Sequence, residues 1–299
     1  GSTDRTDTIV NSFADRGVRL LRQEPRAGKT SALNMAVPLA GGKIIVFSDA
    51  NSIYAPDALR KLTANFADPQ VGYVTGRMIY ANPDGTPIGE GCSAYMKYEN
   101  TMRAIENRLG SIVGVDGGID AVRKVIYQPM NADQLPDFVQ PLKVVEQGYR
   151  VVYEPEALLR EQTLKNADDE YRMRVRVTLR AFWALFDMRN LLAPWRDPIF
   201  AWQLWSHKVL RYFCFVFLVA AYASNILLLG DGFIFKALFA LQNGAYVAAF
   251  AAPLLERSGM NSRGFTFARY FLLLNIAAAH AFCKFIIAKK QVMWTPRKG

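Results

Sequence analysis

Three long apolar segments toward the carboxyl end constrain this chain more than any other feature. Residues 209–229, 233–255 and 268–288 hold 21, 23 and 21 residues. At 1.5 Å per helical residue each spans a hydrocarbon core of about 30 Å. The first two carry one charge apiece, Arg211 and Lys236, near their starts. The third has Arg269 and Lys284 near its ends, with Asn275 and His280 inside. Adjacent helices that are apolar on every face need either lipid or a large surrounding protein. The reading is a membrane domain over residues 209–299 with two to three transmembrane helices, and three crossings on length and hydropathy.

The charge distribution agrees. Residues 1–208 hold 26 Lys/Arg against 24 Asp/Glu, and residues 209–299 hold 10 against 2. The basic excess flanks the apolar segments, so it points to a lipid bilayer and not to nucleic acid. Lys208 and Arg211 precede the first segment, and Arg257, Arg263 and Arg269 lie between the second and the third. The positive-inside rule then puts the front of the chain in the cytoplasm, at the inner membrane of a cell. A third crossing places Lys289, Lys290, Arg297 and Lys298 outside, against that rule. A third segment that is re-entrant or interfacial is the alternative. Residues 194–208 contain Trp195, Trp202 and Trp205 among basic residues and read as an interfacial amphipathic helix.

Ahead of these segments, residues 1–193 alternate helical and strand patterns. Helices are expected over residues 6–16, 30–39, 56–66, 91–109 and 138–147, and strands over 18–21, 43–47, 71–79 and 150–153. This alternation indicates an α/β domain with a mostly parallel sheet. Such a domain begins with a strand. None precedes Gly1, so that strand is expected to lie upstream. Residues 43–51, KIIVFSDAN, are the most informative stretch. The apolar run reads as a strand buried on both faces, and Asp49 falls at its carboxyl end, where open α/β sheets bind ligands. Asp49 and Asn51 as plain turn formers remain the alternative. Four glycines lie within residues 110–118, which fits either a close approach of backbone to ligand or a flexible loop. Asp137 stands at the start of a helix, as a cap or as a functional acid.

Other chemistries are poorly served. Gly28-Lys29-Thr30 ends like a phosphate-binding P-loop, but that motif needs glycine at position 23, which is Gln23. Three dispersed cysteines and two distant histidines give neither a disulfide framework nor zinc spacing.

Taken in order, several segments resemble the membrane-bound inverting family 2 glycosyltransferases, the group that includes cellulose, hyaluronan and poly-N-acetylglucosamine synthases. Gly1-Ser2-Thr3-Asp4-Arg5-Thr6 is similar to D-G-S-T-D-x-T without its first Asp. The segment from Gly28-Lys29 to Asn34 is similar to G-K-x-x-A-L-N. Ser48-Asp49-Ala50-Asn51 stands where D-x-D belongs, and Gly117-Gly118 to Arg123-Lys124 resembles the acceptor-side G-x-x-x-A-x-R-R. Leu135-Pro136-Asp137-Phe138 resembles the segment carrying the catalytic base. Residues 173–177 occupy the place of Q-x-x-R-W, where only Arg176 matches.

The resemblance implies a GT-A, Rossmann-like nucleotide-diphospho-sugar transferase domain followed by transmembrane helices. Asp137 is then the catalytic base, and Asp4, Lys29, Asp49 and Arg176 bind the nucleotide sugar. Gly117, Gly118 and Arg123 face the acceptor. Asp49 and Asn51 hold a divalent cation, Mg2+ or Mn2+. The implied donor is a UDP-sugar and the acceptor a saccharide or lipid-linked molecule, in polysaccharide or cell-envelope glycan synthesis. The missing Gln and Trp of Q-x-x-R-W weaken the case for a processive polymerase. A degenerate, non-catalytic membrane scaffold of the same fold is the competing reading. A transporter subunit would need ionisable groups inside its spans, and only His280 qualifies.

Overall fold

The computed structural model describes residues 1–83, 85–163, 167–257 and 263–292. Among them, α1 (Thr6–Asn11) and a 3-10 turn end at Gly17, whose φ of +81° suits glycine. Next come α2 (Lys29–Leu39), β1 (Ile44–Ser48), β2 (Ile53–Tyr54), α3 (Ala58–Ala64) and β3 (Val71–Ala81). They are followed by α4 (Pro87–Leu109), β4 (Ile119–Arg123), α5 (Pro136–Glu146), β5 (Arg150–Gln162) and α6 (Ala167–Asp187).

The five strands form one sheet in the order β1-β4-β3-β5-β2. Its direction departs from expectation. Only β3 and β5 are parallel; β1–β4, β3–β4 and β2–β5 are antiparallel. The alternation of elements misleads because β4 follows the long helix α4 and the glycine segment, and enters the sheet reversed between β1 and β3. As a result β1 is an edge strand among the described residues. Ile44 and Val46 pack on one core cluster with Leu62, Val74 and Ile119, and Ile45 and Phe47 on another with Tyr73 and Val122. Both faces are covered, as the apolar run implies, but the open edge leaves the strand half-buried. Residues 18–21 form no strand, and Val18 and Leu21 are exposed. The core is carried by fully buried side chains such as Leu62, Tyr73, Ile119 and Leu159. Each contributes about 1.5–3 kcal/mol by burial.

The apolar end differs from three straight spans. After α7 (Pro198–Gln203), capped by Asp197, the backbone makes a π-helical turn over Leu204–Val209 and then α8 (Leu210–Tyr212). The helix breaks at Phe213 and resumes, bent by 61°, as α9 (Cys214–Leu227). Residues 209–229 are therefore not one helix. At 14 residues α9 is about 21 Å long, short of a hydrocarbon core. Aromatic packing holds the bend, for the Phe213 ring lies 5.5 Å from Phe182 and 5.1 Å from Phe282. Among the described residues, two single helices are long and apolar enough to cross a membrane, in Phe233–Leu255 of α10 (Phe233–Arg257) and Gly264–Ile286 of α11 (Arg263–Ile286).

Helix α11 packs lengthwise on α6. Tyr270 meets Arg174, and Phe282 and Phe285 meet Phe182 and Trp183. Beyond its end, Lys290 pairs with Asp133 at 2.6 Å and the Trp183 indole donates to the Lys289 carbonyl. Lys289 and Lys290 thus lie against the front domain. Arg297 and Lys298 lie outside the described residues. So does Asp84, in the turn expected around residues 82–87.

Candidate active site

Four segments converge at the carboxyl end of β1. The first is the start of α2. Gly28 has φ +89° and turns the chain so that Lys29 opens the helix. Thr30 and Asn34, one turn apart, fasten that helix to the segment before α5. The Thr30 hydroxyl donates to the Gln134 carbonyl at 2.8 Å, and the Asn34 amide donates to the Met130 carbonyl at 2.6 Å. Asn34 Oδ1 accepts from the Tyr127 hydroxyl and the Met130 N–H.

The second segment is the turn after β1. Asp49 accepts the Ser52 N–H on its backbone carbonyl, which is the turn foreseen, but its carboxylate reaches back to Lys29 Nζ at 2.5 Å. Asn51 is exposed in the same turn. The third is the glycine segment. Gly117 has φ +78°, and a Cβ there would stand 2.6 Å from Asp137 Oδ2. Its N–H donates to Asp120 Oδ2 at 2.9 Å, and its carbonyl lies 3.5 Å from Lys29 Nζ. Tyr54 donates to the Gly118 carbonyl at 2.9 Å. Behind the segment, buried Arg103 pairs with Asp116 at 2.6 Å and donates to the Gly114 carbonyl at 3.0 Å. The Val113 N–H donates to Glu106. These bonds make the glycines a fixed approach of backbone to Asp137, not a flexible loop.

The fourth segment is the start of α5. Leu135 is its N-cap residue and Pro136 opens the helix, so Asp137 stands one residue inside the first turn. Its carboxylate faces Gly117 instead of capping the helix. Lys29, Phe47, Gly117, Asp120, Tyr127 and Asp137 line a cavity of only about 10 Å3. That volume holds about one water.

The electrostatics follow from burial. Desolvation alone would lower Lys29, but Asp137, then Asp49 and Asp120, outweigh it and raise its pKa above the usual lysine value. Burial pushes Asp120 up to about 7, with Asp116 and Asp137 adding to the effect and the hydroxyls of Thr75 and Tyr73 opposing it.

Not every expected site residue is here. Asp4 accepts the Thr6 N–H at 3.0 Å and the Thr6 hydroxyl at 2.5 Å, opening α1 from an exposed position. Arg123, expected on the acceptor side, does not line this cavity. Its guanidinium donates to the carbonyls of Val71, Phe66 and Asp68 at 2.7–2.8 Å, so it ties β4 to the α3–β3 connection. Arg176 is half-buried and does not line the cavity. Arg180, one turn later on α6, does not line it either but fastens the start of α2 to the segment before α5. It donates to Thr30 Oγ1 at 3.2 Å and to the carbonyls of Asp133 and Gln134. Burial lowers its pKa, while Asp137 and Asp133 pull the other way. The run of arginines at residues 172–180 contained the signal for Arg180. Asp120 sits inside the quoted glycine motif and had no assigned role.

The family model described as Glycosyl transferase family 2 matches residues 1–128, which carry Lys29, Asp49 and Gly117. Residues 1–128 of this chain are thus similar to family 2 glycosyltransferases. The "Beta-monoglucosyldiacylglycerol synthase" of Nostoc sp. is 32% identical over 127 residues, 41% of this chain and 27% of that protein. The "N-acetylglucosaminyltransferase" of Rhizobium meliloti is 23% identical over 175 residues, 53% of this chain and 41% of that protein. The matches thus span about a quarter to two fifths of these relatives. Among solved structures, the mannosyltransferase PcManGT of Pyrobaculum calidifontis, in complex with GDP-Man and Mn2+, superposes with a TM-score of 0.66 at 23% identity. The superposition covers 97% of this chain and 76% of that one, so the GT-A fold and the helices behind it are shared.

Among the described residues no group of three His, Cys, Asp or Glu side chains could hold a metal ion. Asp49 offers one carboxylate, one oxygen of which is on Lys29, and Asn51 offers a carbonyl. That set fits a Mg2+ or Mn2+ bound largely by substrate phosphates, since such ions take one or two carboxylates and leave other positions to phosphate and water. It does not fit a closed protein cage.

Proposed function

We propose that this chain is an inverting glycosyltransferase, moving a sugar from a nucleotide-diphosphate donor to a saccharide or lipid-linked acceptor at the cytoplasmic face of the inner membrane. The observation that carries the reading is the meeting of Lys29, Asp49 and Asp137 around Gly117. The relatives' printed names, a glucolipid synthase and an N-acetylglucosaminyltransferase, and the GDP-Man in the solved neighbour support it. A UDP-sugar in envelope glycan synthesis is the donor and setting we favour. Residues 1–193 form the transferase domain, 194–208 an interfacial segment and 209–299 the membrane part.

The chemistry follows from the charges. The donor diphosphate lies over Lys29, with Asp49 toward the ribose or the phosphate-borne cation. A divalent cation, when bound, supplies charge that helps the diphosphate leave. Lys29 adds positive charge from this chain, and Arg180 keeps the Thr30 end of α2 in place. Asp137 accepts the proton of the acceptor hydroxyl as that oxygen attacks the anomeric carbon from the face opposite the leaving group. One C–O bond forms, one breaks, and the nucleoside diphosphate departs with the bonding pair. A single displacement inverts the anomeric centre.

The direct test incubates the purified membrane protein with Mn2+ or Mg2+ and a panel of UDP- and GDP-sugars. Release of nucleoside diphosphate with at least one donor is expected. Release with none of them supports the scaffold reading instead.

A further inference from the structure

A second cavity lies between the transferase domain and the membrane part. It has a volume of about 450 Å3, within the range of about 300–1,000 Å3 typical of ligand pockets, and is walled by α4, α6, α8, the start of α9 and α11. Two features distinguish it from a gap between helices. Arg174 and Arg211 both line it, and among the described lining residues there is no carboxylate. One ring, Tyr95, has both guanidiniums against it, 4.6 Å from Arg174 and 5.7 Å from Arg211, which keeps the two cations on one wall.

Both arginines are anchored from behind. Arg174 donates Nε to Glu170 at 2.7 Å and Nη2 to the Tyr270 hydroxyl at 2.8 Å, and Arg211 donates Nη1 to Glu99. A guanidinium has five N–H donors. The bonds named use two on Arg174 and one on Arg211, and no described lining residue of this wall is a carboxylate. An occupant that satisfies it brings acceptor oxygens, and two guanidiniums fit an anionic phosphate above other groups.

The rest of the wall is apolar and runs along a helix with the composition of a membrane span. Phe267, Phe271, Leu274 and Ala278 follow one another at three- and four-residue steps on α11 and so share one stripe. Phe267 and Phe271 are exposed, so this end opens on the outer face of the helix. A hydrocarbon chain along that stripe reaches lipid without leaving apolar surface. Basic pockets between membrane helices hold anionic headgroups in the same way.

We propose that this cavity binds one membrane lipid with an anionic phosphate headgroup, the phosphate between Arg174 and Arg211 and an acyl chain along Phe267, Phe271, Leu274 and Ala278. The inference stands apart from the transfer reaction, since none of these residues lines the cleft at Asp137.

The test is native mass spectrometry of the full chain in an uncharged detergent, titrated with phosphatidylglycerol, diacylglycerol or inorganic phosphate. One phosphatidylglycerol per chain is expected, not displaced by millimolar phosphate or by diacylglycerol. Two variants should weaken it about tenfold or more. Leu274→Trp fills the apolar part and leaves every charge in place. The pair Glu170→Gln and Arg174→Gln removes one guanidinium without stranding its buried carboxylate. Equal retention of diacylglycerol would reduce the cavity to an apolar slot and overturn the proposal. Displacement by inorganic phosphate alone, or undiminished binding by both variants, would also overturn it.

Discussion

Asp120 gives the sharpest physical prediction, because its behaviour follows from its surroundings. It is 1% exposed, next to Asp116 and Asp137, and its pKa stands near 7 against an ordinary value of 3.8. Between those values the folded chain holds a proton that the unfolded chain has released. Raising the pH through that window therefore favours unfolding. The full shift is worth on the order of 4 kcal/mol at 1.36 kcal/mol per unit. About 3 kcal/mol of it falls between pH 5 and pH 8.5. Asp120→Asn keeps an acceptor for the Gly117 N–H and cannot titrate. Denaturant unfolding of both proteins across that range should show the wild type losing about 3 kcal/mol more than the variant. Parallel stability curves would refute the claim that burial holds Asp120 protonated.

Other substitutions separate structural from chemical roles. Gly117→Ala forces a side chain into φ +78° and toward Asp137 Oδ2, so it should cost about 1–2 kcal/mol in thermal unfolding. It should also lower kcat more than it weakens donor binding, and equal losses in both would mean that Gly117 does not position Asp137. Arg123→Ala removes three bonds to buried main chain and should destabilise by about 3 kcal/mol, with acceptor KM unchanged. A raised acceptor KM in a still-folded variant would restore the acceptor-side assignment.

The sequence revealed single residues better than their arrangement. Lys29, Asp49, Gly117 and Asp137 lie in four separate motifs, and the fold brings them together because each motif ends or begins a regular element. Strand direction was not legible, since an apolar run looks the same whether its partner is parallel or reversed, and β4 enters reversed. Arg123 and Arg180 show a similar limit, since both guanidiniums are bonded to main-chain carbonyls. A guanidinium bonded to main-chain carbonyls and one packed at a ligand site have the same local sequence signature. Hydropathy identified the apolar helices but not their ends, because the break at Phe213 and the return of Lys290 to Asp133 are tertiary contacts.

The account rests most directly on Asp137 as the base. Asp137→Asn keeps the size and polarity of the side chain and cannot take a proton at neutral pH. With the nucleotide sugar identified by the donor panel, transfer and equilibrium donor binding are measured on the same preparation of wild type and variant. The expected result is transfer reduced by about a hundredfold or more, with donor affinity within about twofold of the wild type. Wild-type turnover by Asp137→Asn would contradict the central claim.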